Sequence, residues 1–245
     1  MEVKTIVLNE ERHVTLECCL QPVGEPYDHI KVRPAVIVCP GGGYTHLAGR
    51  ESEPVAFAFM RAGFQVFILR YGINEYAAWP GPLEDYEQAK ALIESTPEWN
   101  VAPGKTCVIG FSAGAHLAAC AATMSVHRPD AAILGYGLFI GEDARQYLAD
   151  APDVISAVDG RTCPCFLFSS TVDPVVPIRN SLALMNALTE HGVGYEAHLY
   201  SSGSHGFSVG DETVFCSGVS APDRAERWPD DCLSWLEELW SPFFE

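Results

Sequence analysis

Short apolar runs recur along the chain at intervals of a few dozen residues. The clearest lie at 35–39, 66–69, 107–109, 131–134 and 165–168. Each holds four or five consecutive apolar residues, or three at 107–109, rich in Val, Ile, Leu, Ala and Cys, with no polar alternation. That is the signature of strands buried on both faces of a parallel sheet. A further strand is expected at 195–200. Between the runs the spacing changes to three and four residues. In 82–94, Leu83, Tyr86, Ala89, Leu92 and Ile93 fall on one helical face. In 179–191, Leu182, Met185 and Leu188 do the same, and Gly192 supplies a stop. Helices are also expected at 54–61, ending at Gly63, at 113–124, and around Cys232, Trp235, Leu236 and Leu239. The stretch 13–20 alternates more strictly and suits an antiparallel strand at the sheet edge. Strands alternating with helices imply an α/β fold, a mostly parallel twisted sheet with helices on both faces. The least regular stretch, 138–161, is too short for an independent domain and reads as a short cap. With no linker or repeat, residues 1–245 are expected to form a single domain.

Composition narrows the function classes. The 245 residues are 48% hydrophobic and 19% charged, as in a globular protein. The formal net charge is −17, which repels phosphate backbones and anionic lipid, so neither nucleic acid nor membrane is an expected partner. The first residues lack the basic and apolar regions of a secretory signal, and no apolar run reaches membrane-spanning length. The nine cysteines are odd in number and lie mostly in apolar runs. They read as reduced core thiols of a cytoplasmic protein, and no spacing suggests a metal site.

Four loops then carry chemistry. The segment Gly110-Phe-Ser-Ala-Gly114 joins a predicted strand to a predicted helix. This is the pattern of a nucleophile elbow, a tight turn that lifts a serine hydroxyl clear of the backbone. A serine hydroxyl needs a base in contact, and the base needs an orienting acid. Asp173, in Asp173-Pro-Val-Val-Pro177, follows the strand at 165–168 and so sits at the carboxyl edge of the sheet. His205, in Gly203-Ser-His-Gly-Phe207, follows the strand at 195–200. One helix and one strand fit between them, which sets the two loops side by side. Ser112, Asp173 and His205 are therefore the expected nucleophile, acid and base. Pro40-Gly-Gly-Gly-Tyr44 follows the strand at 35–39 and offers backbone N–H groups to a tetrahedral oxyanion, with the N–H of Ala113 as second donor. Among the other histidines, His116 reads as a packing residue of the helix after the elbow, and His46 as a pocket-lining candidate. Tyr44, Tyr71, Trp79 and Tyr136 offer faces for sugar stacking, with Tyr44 the expected substrate-binding residue.

On these residues the chain resembles the α/β-hydrolase carbohydrate esterases, in particular the bacterial feruloyl/acetyl-xylan esterase-like group. The matching segments also include Glu51-Ser-Glu-Pro-Val-Ala56 and Val66-Phe-Ile-Leu-Arg-Tyr71. The resemblance implies a serine esterase with a Ser–His–Asp triad at Ser112, His205 and Asp173. Oxyanion donors are implied at Gly42, Gly43 and Ala113. It implies no cofactor and no metal. Its substrate class is short acyl esters of sugars or oligosaccharides, acetyl esters above all, and small acetylated sugars fit a cytoplasmic enzyme. A homo-oligomer is compatible with it. Three other functions compete: an arylformamidase, a small peptidase of the same fold, and a non-catalytic binding module. Loss of a triad member would mark the last, and all three are present.

Overall fold

A computed structural model describes residues 1–26 and 28–244. In chain order the strands are β1 (Glu2–Asn9), β2 (Val14–Leu20), β3 (Arg33–Cys39), β4 (Gln65–Arg70), β5 (Val101–Phe111), β6 (Ala131–Gly135), β7 (Cys165–Ser170) and β8 (Tyr195–Tyr200). The helices are α1 (Glu53–Arg61), α2 (Gly81–Glu94), α3 (Ala113–Met124), α4 (Gly141–Ala144), α5 (Arg179–Glu190) and α6 (Trp228–Leu239). The strands form one sheet in the order β1-β2-β4-β3-β5-β6-β7-β8. From β4 through β3 to β8 neighbouring strands run parallel, while β2 pairs antiparallel with both β1 and β4.

The period-two geometry of β3 divides its side chains between two cores. Ala35, Ile37 and Cys39 face a core closed by α2, α3 and α5. Val36 and Val38 face the opposite core, closed by α1 and α6. Because both faces are covered, every residue of β3 is buried, and this is why 35–39 reads as an unbroken apolar run. On the second face Trp228 of α6 stacks on Phe168 of β7 with ring centroids 4.2 Å apart, and its indole N–H donates to the Ser208 carbonyl at 2.8 Å. A core contact thus anchors the loop that carries His205.

The buried strands and main helices fall where the periodicity puts them. The sheet edge does not. The strand at 14–20 is the second strand, and β1 lies outside it. Val3 and Val7 of β1 are 62% and 60% exposed, so this edge has no strongly buried face to reveal it. The cap region 138–161 holds only the single turn α4 and a short 3-10 turn at Ile155–Ala157.

Candidate active site

The site begins at the turn from β5 into α3. A Cβ on Gly110 would lie 2.0 Å from the Gly114 carbonyl oxygen, and one on Gly114 would lie 2.1 Å from the Cys39 carbonyl oxygen. Only glycine lets helix and strand cross this closely. Ser112 at the apex has φ 53 and ψ −117, a conformation that costs a β-carbon residue about 1–3 kcal/mol. Its N–H donates to Gly135 of the neighbouring strand at 3.0 Å, so the apex is pinned to the sheet.

Three side chains from three loops meet at that apex. His205 Nε2 lies 2.8 Å from Ser112 Oγ, and His205 Nδ1 lies 2.7 Å from Asp173 Oδ2. A carboxylate only accepts, so Nδ1 carries the proton and Nε2 is left to accept from the serine hydroxyl. The other oxygen, Asp173 Oδ1, accepts from the N–H groups of Val175 at 2.8 Å and Val176 at 3.0 Å. The Asp173 side chain is 1% exposed, so it is held on both sides with no freedom to turn. Asp143, another carboxylate after β6, is instead engaged by Arg179 and Asn180, and Arg179 holds its carboxyl below the ordinary range.

The glycine loop faces the same apex. A Cβ on Gly41 would come within 3.1 Å of Ser112 Cβ. The Gly41 N–H is already committed, donating to Glu51 Oε2 at 2.8 Å. Gly42 and Gly43, at φ 133 and φ 61, donate to no backbone acceptor among the described residues. Ala113 is the first residue of α3, where a helix leaves its N–H without an internal acceptor. Gly42 and Gly43 border a cavity of roughly 370 Å³ that Ser112 and His205 also line. A larger groove, roughly 540 Å³, lies between α1 and α6 and includes none of these residues. Among the described residues no group of three or more His, Cys, Asp and Glu side chains converges as a metal site requires.

The aromatic expectations need correction. Tyr44 does not face the cavity: it is 2% exposed, and at φ 60 its ring turns into the core, where its hydroxyl lies 2.7 Å from His116 Nδ1. Tyr71 and Tyr136 are buried as well, donating to the Pro40 carbonyl and to Glu51. The side chain that does reach the cavity is Tyr147, from the cap, 3.1 Å from where a Cβ on Gly43 would stand. Nothing in its sequence neighbourhood marks it out beyond its place in the cap. His46 lines the cavity, and Arg50 and Glu51 do so too.

His116 is the packing residue expected. Its Nδ1 accepts from the Tyr44 hydroxyl and its Nε2 faces the Pro152 carbonyl at 3.2 Å. Burial lowers its pKa from 6.5 to about 4. Between those values the unfolded chain holds a proton that the folded chain does not, so this group's contribution to stability is complete above pH 6.5 and is lost as pH falls toward 4. The slope is about 1.4 kcal/mol per pH unit at most. A His116→Gln variant, although less stable at pH 7, should therefore lose about 2 kcal/mol less than the parent between pH 7 and pH 5, by urea unfolding. Parallel losses in the two proteins would contradict a buried neutral imidazole.

Two family models divide the chain. Residues 25–136 match the BD-FAE model, and residues 140–239 match that of the prolyl oligopeptidase family. The chain is 35% identical to MGS-M1, an α/β hydrolase from a Medee basin deep-sea metagenome library, with a TM-score of 0.91 over 98% of each chain. It is 29% identical to an acetyl ester-xyloside bifunctional hydrolase from Caldicellulosiruptor lactoaceticus, with a TM-score of 0.83 over 99% of this chain and 97% of that one. It is 28% identical over 199 residues to an acetylxylan esterase of Xylanibacter ruminicola, covering 72% of this chain and 41% of that protein. The chain spans 34–49% of the length of the curated relatives it matches. With an eight-stranded, mostly parallel sheet and near-complete overlap with a 35% identical relative, the chain belongs to the α/β-hydrolase family and is related to acetylxylan esterases.

Proposed function

We propose that the protein is a serine esterase for short acyl esters, with acetylated sugars or oligosaccharides as its substrate class. The observation that carries this is the unbroken hydrogen-bonded chain from Asp173 through His205 to Ser112, opening beside unengaged N–H groups onto a cavity. Ser112 Oγ attacks the ester carbon as its proton passes to His205 Nε2. The carbonyl oxygen becomes an oxyanion, which the N–H groups of Gly42, Gly43 and Ala113 receive. Such donors contribute roughly 3 kcal/mol each when aimed at the developing charge. As the tetrahedral intermediate collapses, His205 gives its proton to the leaving alcohol and an acyl-serine remains. Water then repeats the sequence, with His205 as base, and releases the carboxylic acid. Asp173 fixes the imidazole tautomer and stabilises the imidazolium throughout. The substrate class rests on the acetyl-ester relatives, and a cytoplasmic site of action is proposed with it.

Acyl length follows from the cavity. Its walls mix the polar side chains of Thr45, His46, Arg50 and Gln146 with apolar surface from Ala48, Tyr147 and Val175. A long acyl tail gains rate by burying methylenes, at about 0.8 kcal/mol each, and the cap over the cavity, with only α4 and one 3-10 turn, is too short to enclose such a tail. Acetyl and propionyl p-nitrophenyl esters should therefore show higher kcat/KM than octanoyl esters. A steady climb from acetyl to octanoyl would replace this reading with a lipase-like one. A second reading, a small peptidase, is favoured by the match of residues 140–239 to the prolyl oligopeptidase family. One panel separates the readings: acetylated xylo-oligosaccharides, the p-nitrophenyl ester series, proline-containing peptides and N-formylkynurenine. The proposal requires turnover of the acetyl esters, and turnover of peptides alone would overturn it.

A further inference from the structure

Glu51 is a carboxylate 2% exposed, on the one-turn 3-10 segment Gly49–Glu51 before α1. Burying an ionised carboxylate is costly unless its oxygens are fully engaged. Both are. Oε2 accepts the Gly41 N–H, and Oε1 accepts the Tyr136 hydroxyl at 2.8 Å. The Tyr136 oxygen in turn accepts the Ser208 N–H at 3.0 Å, and its ring lies edge-on to the His205 ring, centroids 5.0 Å apart. The adjacent Arg50 grips the same loop twice: Nε donates to the Gly206 carbonyl at 2.8 Å, and the Arg50 carbonyl accepts the Ser208 hydroxyl. One short segment is therefore bonded at one end to the loop of Gly42 and Gly43, and at the other to the loop of His205.

We propose that Glu51 is a positioning residue that ties the oxyanion loop to the histidine loop, so that the N–H donors and the base converge on one acyl carbon. This rests on the esterase reading above. Neither loop is fixed to the other by the sheet: the glycine loop leaves β3, the histidine loop leaves β8, and three strands lie between β3 and β8. The carboxylate is suited to the role because its two oxygens accept from both sides at once. An amide has only one oxygen and must give up one side.

The test is the kinetics of E51Q and Y136F on p-nitrophenyl acetate beside wild type and S112A. Displacing donors relative to the base by a fraction of an ångström should lower kcat about 10- to 100-fold in E51Q. KM should stay within roughly threefold, because the interaction acts in the transition state rather than on bound substrate. Inactivation by a serine-directed phosphonate should slow by a factor similar to that for kcat/KM. The double variant should be no worse than the poorer single variant, since both act through one chain of bonds. A folded E51Q with unchanged kcat, a loss carried by KM alone, or additive losses in the double variant would overturn the proposal. If E51Q does not fold, Y136F decides by the same kcat and KM criteria, because it leaves the Gly41 bond in place. Failure of the esterase reading is separate: it shows as no ester turnover and no Ser112 labelling in wild type.

Discussion

Replacing Ser112 by Ala should lower kcat/KM for p-nitrophenyl acetate by about 10⁴- to 10⁶-fold while leaving the fold intact. The size follows from the arrangement rather than from the serine alone. His205 Nε2 faces the Ser112 hydroxyl at 2.8 Å, and without Oγ the proposed oxyanion donors have no tetrahedral centre to serve. In the proposed mechanism nucleophile and base act as a unit, so removing one silences the other, and what remains is weak stabilisation of attack by water. Stability should barely change. The strained backbone at the apex is set by Gly110, Gly114 and the bond to Gly135, none of which involves Oγ. A melting curve and circular dichroism spectrum matching wild type complete the test. Retention of more than a hundredth of the activity would assign the nucleophile elsewhere.

Asp173→Asn should cost about 10⁴-fold in kcat, close to the loss of the nucleophile, although it changes one atom. The reason is local. Val175 and Val176 both donate to Oδ1, so the amide oxygen of an asparagine must occupy that position. Its NH2 group then faces His205 Nδ1 where Oδ2 stood. Nδ1 must become the acceptor, the ring proton moves to Nε2, and the imidazole presents a donor to the serine hydroxyl. The base is present but in the wrong tautomer. KM should change little. A D173N variant within tenfold of wild type would contradict this account and redirect the search for the orienting acid.

The sequence made much of this site readable because its chemistry depends on turns. A strand entering Gly-x-Ser-x-Gly before an Ala-rich helix has few structural uses, and the collisions that a Cβ would make at Gly110 and Gly114 show why. Asp173 and His205 lie where the reading put them, after β7 and β8, and within hydrogen-bond reach of each other. The parts that escaped are those whose meaning is three-dimensional. Tyr44 follows three glycines beside Ser112 and looks like a ligand contact, but its positive φ swings the ring toward His116. Glu51 enters the sequence reading only as part of a segment that carries the resemblance, and its burial between two loops distant in sequence is visible only in three dimensions. Strand β1 escaped because edge exposure weakens the alternation that would announce it. Tyr147 comes from a cap with almost no regular structure, so no periodicity points its side chain anywhere.

The central claim is that ester hydrolysis runs through a covalent bond to Ser112. Its most direct test is to quench the protein during turnover of an acetyl ester, digest it, and locate the acetyl group by tandem mass spectrometry. The account predicts one acetyl group per chain, on the peptide containing Gly110 to Gly114 and on the Ser112 oxygen, absent from the Ser112→Ala protein. Acetyl found on another residue, with hydrolysis persisting in the Ser112→Ala protein, would contradict it.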